Sequence, residues 1–185
     1  MEYVQAIRDK KTLETMKKIL RSSNQRDYCL FVLGINSGLL ISDLLTLKVS
    51  DVYESGKIKD RIVIREKKTN ELKDFPLGET SKKALKEYVV TLKLGQALFA
   101  SRKGYKPITR QQAYRILNDA ARAIGIKEQI GTHSLRKAFG YHAFQAGVDI
   151  TRIQKLLNHS SPSVTLAYIG ITQDELDNVY LNLNL

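Results

Sequence analysis

Disulfide and thiolate-metal chemistry have little to draw on in this sequence. Its 185 residues include a single cysteine, Cys29, which excludes a disulfide framework and a multi-cysteine metal site. Cys29 lies in the apolar stretch of residues 28–35 and reads as a small core residue. Long hydrophobic runs are missing too. That stretch is too short to span a bilayer, and the N-terminus lacks the apolar segment of a signal peptide. A cytoplasmic location with no membrane partner is therefore expected. Internal repeats, low-complexity tracts and a long linker are also absent, so one domain over residues 1–185 is expected. Acidic residues are scarce: 19 Asp and Glu face 30 Lys and Arg, a net charge of +11 at pH 7.

The charge is unevenly spread. Acids within residues 102–155 are limited to Asp119, Glu128 and Asp149, whereas residues 171–185 carry acids only. A segregated basic surface fits a polyanion, most often nucleic acid, because neutralising phosphates releases condensed counterions. A merely solvated lysine-rich surface accounts for the charge equally well.

Helical periodicity starts at Thr12, an expected N-cap, with Leu13, Met16, Ile19 and Leu20 on one face. Asn24 is placed to cap a second, more buried helix. The period then changes. Residues 61–65 and 72–77 read as strands separated by a polar turn, which predicts a β-hairpin. Residues 80–94 return to an amphipathic helix, and Thr109 with Gln112 forms a capping box for another, running to about Gly125. Helices are expected again over residues 133–146, 150–157 and 172–180. The fold class expected is α+β, mainly α, with a small antiparallel β-sheet inserted between two helical halves.

Against this background His133-Ser-Leu-Arg136 places His and Arg three apart, on one face of a helix turn. Alone the pair carries little, because such spacing is common by chance. His159, in Leu156-Leu-Asn-His159, follows Arg136 by 23 residues, and Tyr168 follows His159 by nine. Taken singly each is more often a capping or packing residue. Together the segments resemble, almost position for position, the second conserved block of the tyrosine recombinases, the phage-integrase family. Lys67-Lys68-Thr69, between the two strands, resembles the family's hairpin turn with its catalytic lysine, and Lys68 is the better match. Ser37-Gly-Leu-Leu-Ile-Ser-Asp43 resembles the first block, with Asp43 at its acidic position. The resemblance covers essentially the whole chain from about Thr12.

The resemblance implies the tyrosine-recombinase catalytic-domain fold without the N-terminal core-binding domain of many relatives. It also implies a role in phage or other mobile-element DNA integration and recombination. Tyr168 would be the nucleophile on a scissile phosphate, His133 the base, Lys68 the acid on the leaving 5′-oxygen, and Arg136 and His159 the phosphate ligands. The expected partner is double-stranded DNA, bound by a monomer that assembles into a homotetramer on two sites. No cofactor and no metal are implied. The residue types suit such chemistry. A phenol of pKa about 10 needs a base or a cationic site to ionise. Arginine's planar fork grips phosphate oxygens as lysine does not.

One position departs from the family pattern. Where the first block has Gly-Leu-Arg, this chain has Gly38-Leu39-Leu40, so one of two guanidinium groups is missing and impaired cleavage is expected. Lys48 and Arg65 are nearby cations, and nothing in the sequence favours either as a replacement. A non-catalytic DNA-binding regulator on the same scaffold is the alternative. Two further expectations follow. Pro162 and Ser160-Ser161 are expected to leave Tyr168 on a mobile or displaced segment. Residues 172–185, with an apolar stripe of Leu176, Val179, Tyr180, Leu181, Leu183 and Leu185, are expected to form an assembly element.

Overall fold

A computed structural model describes residues 6–102, 104 and 106–183, and of residues 179, 180 and 183 it describes the backbone. The first helix, α1 (Lys10–Ser23), starts earlier than the Thr12 expectation. The Asp9 carboxylate accepts from the backbone N–H groups of Lys11 and Thr12 and is the cap, so Thr12 lies inside the helix. Leu13, Met16 and Leu20 form its buried face. Asn24 does cap α2 (Gln25–Ser37), accepting from the Arg26 N–H. Helix α2 is the centre of the molecule: residues 28–34 are all buried, Cys29 among them, and α1, α5 and α7 pack around it.

Two short helices, α3 (Ile41–Leu44) and α4 (Val49–Val52), lead to the strands. A small hairpin, β1 (Tyr53–Glu54) with β2 (Lys57–Ile58), turns through Ser55 and Gly56 in left-handed conformations. Sequence patterning gives no sign of it, because two-residue strands are too short to show alternation. The expected hairpin is present, β3 (Arg61–Arg65) antiparallel to β4 (Leu72–Pro76), with Ile62 opposite Phe75 and Ile64 opposite Lys73. Helix α5 (Glu79–Val89) stops short of the expected residue 94, at the β-branched run Val89-Val90-Thr91, where side-chain crowding weakens helix formation.

The second half is helical. Thr109 and Gln112 form the expected capping box on α6 (Arg110–Ala123). Then come α7 (Thr132–Gln145), α8 (Ile150–Leu156), α9 (Pro162–Ile169) and α10 (Gln173–Leu183). Two apolar clusters result. The main one joins α1, α2, α5, α6, the hairpin and the inner face of α7. The other has Ile153, Leu157 and Ile169 as its fully buried members, with half-buried aromatic and aliphatic side chains around them. Helices α8 and α9 rest on it. No helix among the described residues is long and apolar enough to cross a membrane.

Candidate active site

Arg136 projects from α7 at the seam of the two clusters and is only 6% exposed. Its guanidinium donates to the carbonyl oxygens of Gly38 and Leu157. Both partners are neutral, so the fork is fixed in place with its charge uncancelled. The Gly38 carbonyl is offered by the C-terminus of α2, where Gly38 takes a left-handed φ of 63° and lies against the Phe139 ring too closely for a Cβ. Leu157 is the C-cap of α8. Three elements distant in sequence thus converge on one side chain.

Tyr168 lies on α9, half-buried beside that guanidinium. The expectation of a displaced segment is not met. Ser161 caps α9 by accepting from the Val164 N–H, and Pro162 occupies the first turn, where its missing N–H costs nothing. The residues expected to loosen the chain therefore start the helix. The Tyr168 ring packs edge-on against His159 with centroids 4.8 Å apart, and the Lys137 ammonium stands 5.3 Å from its centroid. Burial raises the phenol pKa, while the Arg136 charge and its hydrogen-bonding reach pull it down. Among the described residues no group meets hydrogen-bond geometry at the buried hydroxyl.

His159 is half-buried, and its Nδ1 lies 3.0 Å from Thr165 Oγ1, which itself donates to the Ser161 carbonyl. Desolvation first, and then the charges of Arg136 and Lys68, lower its pKa. That effect places the exposed Lys68 within electrostatic reach of the imidazole. His133, on the first turn of α7, is exposed. Partial desolvation and the charges of Arg110, Lys137 and Arg136 lower its pKa, in that order. Leu40 precedes α3, half-buried, two residues from the carbonyl that holds Arg136, and belongs to neither apolar cluster. Of the two nearby cations, Arg65 is tied to the Asn70 carbonyl. Lys48 lines a groove of about 560 Å³ together with Lys67, Lys106 and Arg110, with no carboxylate in its walls.

Sequence reasoning missed four residues here. Lys137 is 9% exposed against the Tyr168 ring. Glu66 is 3% exposed; its carboxylate accepts from Thr69 Oγ1 (3.1 Å) and Asn158 Nδ2 (2.9 Å) and lies 3.5 Å from Lys73 Nζ. Lys73 also donates to the Leu156 carbonyl at 2.8 Å. Strand alternation was the available signal, since Ile62, Ile64 and Glu66 share one face of β3 and its extension, and Lys73 shares the inner face of β4 with Phe75. Asn158, at φ 47°, and Lys137 carry no such pattern. Asp43, matched by resemblance alone, is fully buried and accepts from the Lys67 N–H through Oδ1.

A buried guanidinium, with a phenol and the His159 imidazole beside it, sits on this mainly helical frame. The chain belongs to the phage integrase family, whose model matches residues 8–175, a family of DNA-cleaving and rejoining enzymes. It is 47% identical over 174 residues to a probable integrase/recombinase, YoeC, of Bacillus subtilis, covering 94% of this chain and 93% of that one. It is 34% identical over 161 residues to the tyrosine recombinase XerD of Corynebacterium glutamicum, covering 84% of this chain and 51% of the relative. The chain therefore spans nearly all of the first relative and about half of the second. The crystal structure of XerA recombinase superposes with a TM-score of 0.79 at 23% identity, over all of this chain and 66% of that one. That of XerH bound to difH in a pre-cleavage complex gives 0.72 at 20%, over all of this chain and 56% of that one. Both share the fold.

Proposed function

We propose that this chain cleaves and rejoins double-stranded DNA through a 3′-phosphotyrosyl intermediate. The observation that carries the reading is the buried Tyr168 hydroxyl, which meets hydrogen-bond geometry with no group among the described residues, beside an Arg136 guanidinium held by neutral carbonyls. A buried hydroxyl and a buried guanidinium whose hydrogen bonds go to neutral carbonyls, with no described carboxylate against it, suit a site completed by an anionic phosphate. In the forward step the Tyr168 oxygen bonds to phosphorus and the P–O5′ bond breaks. The phenol proton passes to His133, kept neutral by its lowered pKa, and Lys68 protonates the departing 5′-oxygen. Reversal on another 5′-hydroxyl rejoins the strand without an external energy source. With the Thr165 hydroxyl committed to Ser161, neutral His159 carries its proton on Nδ1. Nε2 then donates to phosphate once the arriving anion has raised the imidazole pKa.

The groove of Lys48, Lys67, Lys106 and Arg110 takes neighbouring backbone phosphates, and the chain acts as one catalytic unit. Assembly is a homotetramer on two DNA sites, with residues 172–185 as the docking element. Part of its apolar stripe, Val179, Tyr180, Leu183 and Leu185, lies outside the described side chains. The Arg8 side chain reaches both the Gly170 carbonyl and Glu175, a hold that such docking would have to release. Deleting residues 172–185 should abolish pairing of two DNA sites in native gels and leave single-site binding intact.

Leu40 favours a second reading, a DNA-binding protein without efficient cleavage. A pool of nicked suicide duplexes with a randomised centre separates the two. Cleavage predicts a covalent adduct on denaturing gels, lost in Tyr168→Phe. Salt-sensitive retention of duplex with no adduct after long incubation leaves only the binding role.

A further inference from the structure

Lys68 and His159 sit on separate loops, and the structure shows what ties those loops together. The turn at residues 66–71 closes on itself through Glu66, whose N–H donates to the Glu71 carbonyl and whose carbonyl accepts from the Asn70 N–H. The Glu66 side chain turns inward, binding Thr69 on its own turn and Asn158 across the site. Asn158 is the residue immediately before His159, and its amide also reaches Glu71 at 3.2 Å. Lys73 adds a second strut, joining Glu66 to the Leu156 carbonyl at the end of α8. We propose that the buried Glu66 carboxylate, working through Asn158, is a positioning device that sets the Lys68 turn against the phosphate held by Arg136 and His159.

The two loops are not equally well held without this link. His159 keeps its backbone bond to Gln154, the Gln154 side chain on its carbonyl, Thr165 on Nδ1 and the Tyr168 ring. Residues 67–70 are exposed, and their other holds lie at the two ends of the turn, the Lys67 N–H to Asp43 and the Asn70 carbonyl to Arg65, with Lys68 itself between them. Cutting the link therefore displaces Lys68 and leaves the phosphate ligands in place. Lys68 then fails in the one step that depends on its distance to the leaving oxygen, and an error of about 1 Å in such a contact costs on the order of 10²-fold in rate.

This inference rests on the reading of Lys68 as the leaving-group acid, and the test separates the two. Suicide duplexes selected by covalent capture are made with either an ordinary phosphodiester or a 5′-bridging sulfur at the scissile position. A thiolate leaves without protonation, because a thiol is far more acidic than the corresponding hydroxyl; the thiol of cysteine, for comparison, has a pKa of about 8.5. Single-turnover cleavage is followed for the unaltered chain and for Lys68→Ala, Asn158→Gly, Glu66→Leu and Glu66→Gln. Glycine suits the positive φ at residue 158, so Asn158→Gly removes the amide without loss of fold, which covers a failure of Glu66→Leu to fold. Asn158→Gly and Glu66→Leu are expected to slow cleavage of the oxygen substrate by about ten- to a hundredfold and to approach the unaltered rate with sulfur, as Lys68→Ala does. Glu66→Gln keeps an oxygen toward Thr69 and Asn158 but turns its NH2 toward Lys73, so on the oxygen substrate it should be slowed less than Glu66→Leu and should approach the unaltered rate with sulfur. If Lys68→Ala is rescued by sulfur and Asn158→Gly is slowed equally on both substrates, or on neither, the positioning role of Glu66 is overturned. If Lys68→Ala itself is not rescued, the assignment of Lys68 as acid fails. No adduct from the unaltered chain on the sulfur substrate overturns the cleavage reading as a whole.

Discussion

The two apolar clusters do different jobs. Around α2 the packing is deep: Phe31, Phe99, Leu30, Leu33 and Met16 are fully buried and several helices meet. Beneath α8 and α9 the support is thin, with Ile153, Leu157 and Ile169 fully buried and Phe139, Phe144 and Tyr168 only partly so. Arg136 is fixed from both sides, through Gly38 on the first region and Leu157 on the second. Tyr168 belongs to the second alone, and His159 packs on its ring. Arg136 is thus anchored partly in the deeply packed region, while Tyr168, the proposed nucleophile, rides on the thinner one. Local stability in proteins is distributed in this way, and elements that must move are drawn from its low end. Tyr168 is docked here, so any movement starts from a packed position.

The contrast can be broken by mutation. Phe31→Ala should destabilise the whole protein by about 3–5 kcal/mol, read as a drop in the denaturant midpoint. Ile169→Ala should instead speed amide exchange across residues 150–171 with a smaller change in the global midpoint. Equal global losses from the two would mean that the clusters unfold as one. Leu40→Arg comes next in size. It restores a second guanidinium at the end of α2 that already presents Gly38 to Arg136, and should raise suicide-substrate cleavage by about 10²-fold or more. An unchanged rate with a lower midpoint would make Leu40 a packing residue and break its match to the family arginine.

Smaller effects sharpen the picture of the thin region. Tyr168→Phe deletes a buried hydroxyl that meets hydrogen-bond geometry with no group among the described residues, so along with loss of the adduct the variant should gain about 1 kcal/mol of stability. A stability loss would mean that the hydroxyl is paired in solution. The last expectation concerns pH. A base must be unprotonated, and the lowered pKa of His133 keeps it so below its ordinary value of about 6.5. The bound phosphate raises that pKa as it does for His159, so the test is the shift of the acid limb of the single-turnover profile between variants. Arg110→Gln removes one of the charges responsible and should move the limb upward, and a limb that does not respond would assign the base elsewhere.

Much of this is written locally. Alternation over residues 61–65 and 72–76 specifies the hairpin, Thr109 with Gln112 marks the start of α6, and the spacing of His133, Arg136, His159 and Tyr168 points to the family. These are features of period and capping, which depend on neighbours a few residues away. The sequence misleads where one residue type serves opposite ends: Pro162 reads as a breaker, yet in the first turn it begins α9. What only the tertiary structure decided are the contacts between remote carbonyls, carboxylates and cations. Gly38 and Leu157 hold Arg136 across 98 and 21 residues of chain, and Glu66 reaches Asn158 across 92. Hydrogen bonds and charge act over a few ångströms without regard to chain position, so their partners become known only when the chain has folded.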